Sequence, residues 1–219
     1  MSKFNEFKCY GHFYKITKDN MVVARCRSQL DIINADKMKF DHLIDSVPDA
    51  LSIMMNPGTS RPADSNYIEK EIDLDNFITE EKEIVHTIPD DTQKRLMRVM
   101  QIKKWKHLRV INLSDIRQPE SQKLSEELKQ YNKHSLLMEH SIFSGVRKNE
   151  VDSLLKKMKG KPIIIAWGTQ NCLNQFAKVC LTVIKGHMSY GVTAKKNYHF
   201  QHPLTTKLSW VDNILKLMT

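Results

Sequence analysis

Two short apolar runs limit what this chain can fold into. Pro162–Trp167 (PIIIAW) is too short for a helix and has no polar face, and Ala50–Met55 (ALSIMM) reads the same way. Segments like these fit strands covered on both sides, the situation in a sheet packed between helices. Each run stops abruptly, one at Asn56-Pro57-Gly58 and the other at Gly168. A third short strand, Arg109–Leu113, passes through Asn112 near its end, and Met188–Thr193 reads as a fourth. Helical patterns lie between them. Asp90 or Asp91 can cap a helix over about 92–106 that keeps Leu96, Val99 and Met100 inside. Residues 121–134 (Leu124, Leu128, Tyr131) and 148–159 (Val151, Leu154, Leu155, Met158) carry apolar residues at helical spacing, and Gly160 ends the second. A helix after Gly168 sets Cys172, Phe176, Val179, Cys180 and Val183 on one side, and residues 207–218 make a closing helix.

Strand and helix in alternation predict an α/β fold: three layers, α/β/α, around a central, mostly parallel four-stranded sheet. An N-terminal β-hairpin precedes it, with Cys9–Ile16 and Met21–Cys26 joined through the polar Thr17–Asn20. Residues 30–48 read as mixed, with room for a short helix or a lid. Residues 1–219 form one domain, with the acidic, irregular stretch 66–88 as an insertion.

Charge narrows the partner. The chain has 34 Lys+Arg against 25 Asp+Glu, a net charge of +9, which favours an anionic partner: nucleic acid, nucleotide or anionic membrane. With no apolar run of roughly 18 residues, a membrane span is not expected. The N-terminal MSKFNEFKCYG lacks the apolar core of a secretion signal, so a cytoplasmic protein is expected. Cys9, Cys26, Cys172 and Cys180 form no C-x-x-C pair, which argues against a zinc knuckle or a disulfide framework. The phosphate-loop, G-x-G-x-x-G and G-x-S-x-G patterns do not occur. No metal or cofactor is expected.

In a parallel sheet the ligand sits beyond the carboxyl ends of the strands. Asn56-Pro57-Gly58, Asn112, Trp167-Gly168 and the loop with His199 and His202 all fall there. Each has a plain reading beside a functional one. Asn-Pro-Gly is an ordinary turn, or a rim where glycine lets a ligand approach. Asn112 caps a strand or reads a base edge. Trp167 packs in the core or stacks on a ring. His202, held at a rigid His-Pro bend, is a loop residue or a donor to a developing anion.

Five segments in order carry a resemblance: MMNPGTSRPAD, DDTQKRLMRVMQIKKW, VINLSDIRQPE, IIIAWG and GVTAKKNYHFQHPL. Together they resemble the motifs of a bacterial and phage family, domain of unknown function 1643, over most of residues 8–205. The chain departs from that pattern at Gly58, where the family has Ser, in lacking Pro in DDTQ, and in its extra segment near 66–88. More remotely, the order of signals is similar to that of the uracil-DNA glycosylase superfamily. That likeness implies a parallel sheet between helices and excision of a damaged or modified, 5-substituted pyrimidine from DNA, in repair or anti-phage defence. It gives the catalytic roles to Asn56, which positions water, and His202, which stabilises the departing base. Pro57, Gly58, Thr59, Asn112, Trp167, Gly168 and His199 would contact the base. Uracil-specific members carry a Tyr at the position of Gly58, so its absence implies a pocket open to 5-substituents. Ser60, Arg61, Lys94, Arg98, Arg117, Lys195 and Lys196 would hold DNA phosphates. Two alternatives remain: a glycosidase or transferase acting on free nucleotides, and a non-catalytic binder of modified DNA.

Overall fold

Asp19 and Asn20 both adopt left-handed backbone (φ 50° and 60°), as a two-residue hairpin turn requires and as Asp and Asn tolerate. They join β1 (Phe7–Lys18) to β2 (Met21–Asn34) as antiparallel neighbours. This is a computed structural model, and it describes residues 4–75, 77, 82–133, 138–205 and 209–219. The remaining strands are β3 (Ala50–Met54), β4 (Arg61–Pro62), β5 (Lys70–Asp73), β6 (Val85–Ile88), β7 (His107–Asn112), β8 (Ile163–Ile165) and β9 (Ser189–Tyr190).

The structure corrects the expected architecture. Among the described residues, nine strands form one mixed sheet in the order β4-β6-β1-β2-β7-β3-β8-β9, with β5 also paired to β1. Most of its residue pairs are antiparallel. It is therefore not a central, mostly parallel four-stranded sheet with a hairpin appended. The long hairpin is part of the sheet, because β2 pairs antiparallel with β7 through Leu30↔Val110 and Ile32↔Leu108. Parallel pairing joins β7 to β3, β3 to β8 and β8 to β9. The described part of 66–88 supplies β5 and β6 along β1; residues 76 and 78–81 of that stretch lie outside the described residues.

The extra reach of β2 has a physical cause. Residues 26–34 are buried despite Arg27, Ser28, Gln29 and Asp31, a composition that reads as loop. Ser28 and Asp31 are matched by partners distant in sequence. Ser28 Oγ lies 2.8 Å from His12 Nδ1, and Asp31 accepts from His107 Nε2 at 2.7 Å and from Arg109 Nε at 2.8 Å.

Helices cover both faces, and this is why β3 and β8 lack a polar side. On one face Leu51, Ile53, Ile163 and Ile165 pack against α2 (Ser121–Lys133), α3 (Lys148–Lys157) and α4 (Asn174–Val183). On the other, Met54 and Ile164 pack against α1 (Asp91–Lys103) and α5 (Trp210–Leu217). The expected closing helix thus begins later, and residues 206–208 lie outside the described residues, as does the side chain of Tyr131 in α2. Asp90 caps α1 in a reciprocal box with Gln93. Among the described residues no helix is long and apolar enough to cross a membrane.

β9 stops at Tyr190 because the next residue is pinned. A Cβ on Gly191 would lie 2.4 Å from Phe200 Cδ1 and 3.0 Å from the Ile165 carbonyl. Phe200 bridges to Gly168 and Thr193, and so ties the His202 loop to the end of β8. Gly191→Ala is expected to cost about 1–3 kcal/mol, seen as a lower urea midpoint at unchanged m-value.

Candidate active site

The carboxyl ends of β3 and β7 lie side by side, since Met54 pairs with Asn112. Beyond them, against the N-terminus of α1, opens a cavity of about 510 Å³. Asn56-Pro57-Gly58-Thr59, Asn112, Trp167-Gly168 and His202 all line it. Its size suits one small organic ligand.

Asn112 is fully buried at the end of β7, and neither Nδ2 nor Oδ1 has a partner. A buried polar group left unmatched costs about 1–3 kcal/mol, so this amide needs a ligand or water. Asn56 is held differently. Its Nδ2 donates to the carbonyls of Ile116 (3.1 Å) and Gln118 (2.6 Å), which fixes the amide and reserves Oδ1 as an acceptor. Gly58 has φ +63°, and a Cβ there would meet only Asp90 Oδ2, at 3.9 Å. The wall at this point is therefore open. Asp90 Oδ1 accepts from the Gln93 amide, so Asp90 both caps α1 and faces the cavity.

His202 Nδ1 accepts from the Leu204 amide at 3.2 Å. Burial lowers its pKa, with the Asp90 charge opposing. The imidazole is thus neutral at physiological pH and its proton sits on Nε2, a donor. Trp167 is a wall rather than a free stacking plate. Its Nε1 donates to the Tyr198 carbonyl at 2.9 Å, and its ring meets Phe200 edge-on at 5.3 Å.

Several sequence-derived candidates lie apart from the cavity. His199 is buried, with Nε2 3.1 Å from Asn174 Oδ1, and it secures its loop to α4. Ser60 is buried, and its carbonyl accepts from Arg117 Nε at 3.0 Å. Arg117 also pairs with Glu69 and lies over the Phe13 ring, an arrangement that clamps two loops together. Arg61 is exposed on the short β4. Lys94 and Arg98 are exposed on α1, along a groove that shares Asp91 and Leu204 with the cavity. Lys195 and Lys196 are exposed, and Lys196 Nζ donates to Asn171 Oδ1 at 3.1 Å. Among the described residues no group of three His, Cys, Asp or Glu could hold a metal ion.

Sequence reasoning misses Arg27 as a cavity residue; it lies in the buried second half of β2. A lone arginine in a polar stretch gives no sign that it points into a pocket.

A family model described as Protein of unknown function (DUF1643) matches residues 83–204. The match takes in Asn112, Trp167, Gly168 and His202, while Asn56 and Arg27 precede it. No curated protein and no solved structure shows significant similarity to the chain.

Proposed function

The chain belongs to the DUF1643 family of proteins of unknown function, and from that premise we propose that it is a DNA glycosylase acting on a 5-substituted pyrimidine. The observation that carries this reading is Asn112, a fully buried amide whose two polar atoms are unmatched at the floor of a base-sized cavity. A pyrimidine offers a carbonyl and a ring N–H side by side, which Nδ2 and Oδ1 complement. To enter, the base leaves the DNA stack.

The rim supplies the chemistry. Asn56 Oδ1 holds a water against the sugar C1′. The N-glycosidic bond breaks, its electron pair goes to the base nitrogen, and His202 Nε2–H stabilises the charge that spreads to the base carbonyl. Water bonds to C1′, and its proton balances the departing base anion. Open space over Gly58 admits a 5-substituent. Lys94 and Arg98, beside the cavity mouth, are placed to meet phosphates. The order of motifs similar to the uracil-DNA glycosylases supports the same reading, which rests on the pocket and not on a shared sheet.

The test is base release, read by mass spectrometry and abasic-site formation, from single- and double-stranded DNA carrying modified pyrimidines. Release that weakens with added salt is the expected result. Release from free nucleosides alone would move the activity to the nucleoside hydrolases. Tight DNA binding with no release would leave a binding module.

A further inference from the structure

We propose that Arg27 makes the cavity floor a receptor for an acidic substituent, so that the favoured base is a pyrimidine bearing a carboxylate. This rests on the base-excision reading above. Arg27 is 2% exposed, and its Nε and Nη1 have no hydrogen-bond partner. Elsewhere the protein pairs its inward-facing guanidinium groups: the partly buried Arg109 with Asp31, and the buried Arg147 with Asp115 and Glu150. Among the described residues no carboxylate is within ion-pair distance of Arg27. Burial lowers its pKa to about 10, against the raising effect of Asp90, so the group is still charged at neutral pH.

The backbone aims this charge at the ligand. On β2, Ala24 and Cys26 face one core, whereas Leu30 and Ile32 face the other. Strict alternation would put all four on one side. The change comes from a bulge: Arg27 pairs with Phe13 and Gln29 with His12, leaving Ser28 as the extra residue. Arg27 therefore shares the face of Leu30, Val110 and Asn112, where the cavity opens. Bulges of this kind re-aim side chains beside active sites.

The depth of Arg27 identifies what it meets. DNA phosphates reach the mouth, where Lys94 and Arg98 lie, whereas only a group carried by the base reaches the floor. A neutral base offers the guanidinium carbonyl acceptors but no counter-charge, whereas a carboxylate supplies both. Asp90 and Asp91 line the same cavity, so a singly charged group suits it better than a doubly charged phosphate.

The test measures binding and release separately, on the full chain. Calorimetric titration should find 5-carboxyuracil bound about 10- to 100-fold more tightly than thymine. Arg27→Met should erase that preference while leaving thymine affinity in place, and Arg27→Lys should restore part of it. Removing an unmatched buried charge should also raise the unfolding midpoint of Arg27→Met, a check that the variant folds. In oligonucleotides, kcat/KM should follow the same order of bases. Equal affinity of wild type for the two bases overturns the inference. So does an Arg27→Met variant that slows release of every base alike, since Arg27 would then serve the departing anion. Preferential binding of 5-carboxyuracil without release from any oligonucleotide keeps the acidic-ligand site and removes only the excision reading.

Discussion

Asn56→Ala is expected to slow base release by about 100- to 1,000-fold while leaving base affinity within about threefold of wild type. The amide is anchored on one side only. With Nδ2 held by the carbonyls of Ile116 and Gln118, the side chain cannot swing, and Oδ1 presents a fixed acceptor to the attacking water. Alanine removes that acceptor and the tie to the 116–118 segment together. A fall in kcat at unchanged KM identifies the first loss; a rise in KM with a lowered unfolding midpoint identifies the second. His202→Ala provides the companion measurement. Loss of its Nε2–H should slow release by about 100-fold or more, most for bases that are poor leaving groups. Unchanged rates in both variants would remove Asn56 and His202 from the chemistry.

The largest effect on stability is expected from Asp31→Ala, at about 3–5 kcal/mol. Asp31 is fully buried and accepts from His107, Arg109 and Gln29. His107 is itself fully buried, so removing the carboxylate strands a buried partner, which costs more than the pair contributes. The same site gives a pH dependence. Burial pushes the Asp31 carboxyl up, but the Arg109 charge and the His107 hydrogen bond outweigh it and hold the pKa well below the usual range. The folded value thus lies below the unfolded value of about 3.9. The stabilisation is complete above that unfolded value and is lost as pH falls toward the folded one. Glu150, held down to about 2 by Arg147 and Lys82 against its burial, adds to the acid loss. Urea midpoints should therefore fall between pH 6 and pH 3 in wild type, and fall less in Asp31→Ala.

The parts of the molecule legible in the sequence depend on local pattern. The apolar β3 and β8, the Asp90 cap, the breaks at Asn56-Pro57-Gly58 and Gly168, and Asn112 near a strand end can each be read from neighbouring residues. Their meeting at one cavity follows from three short strands ending at one edge. The sheet as a whole was not legible, because its pairings join distant segments. Nothing near Asp31 announces His107, and the β2–β7 ladder that joins the hairpin to the other strands depends on that contact. β4 and β9 have two residues each, too few to show a period. His199 could not be told from His202 by type or loop; only the Asn174 partner separates them.

The bulge at Ser28 also changes how this pocket could be altered over time. Its floor is set by the pairing of Arg27 with Phe13 on β1, on the near side of the bulge. Deleting Ser28 would restore regular alternation while leaving Arg27 opposite Phe13 on the cavity side and Cys26 opposite Tyr14 in the other core. A single codon lost at the bulge would thus shorten β2 and keep the cationic floor. Strand length can therefore vary at this point while the charge at the floor and every rim residue stay in place.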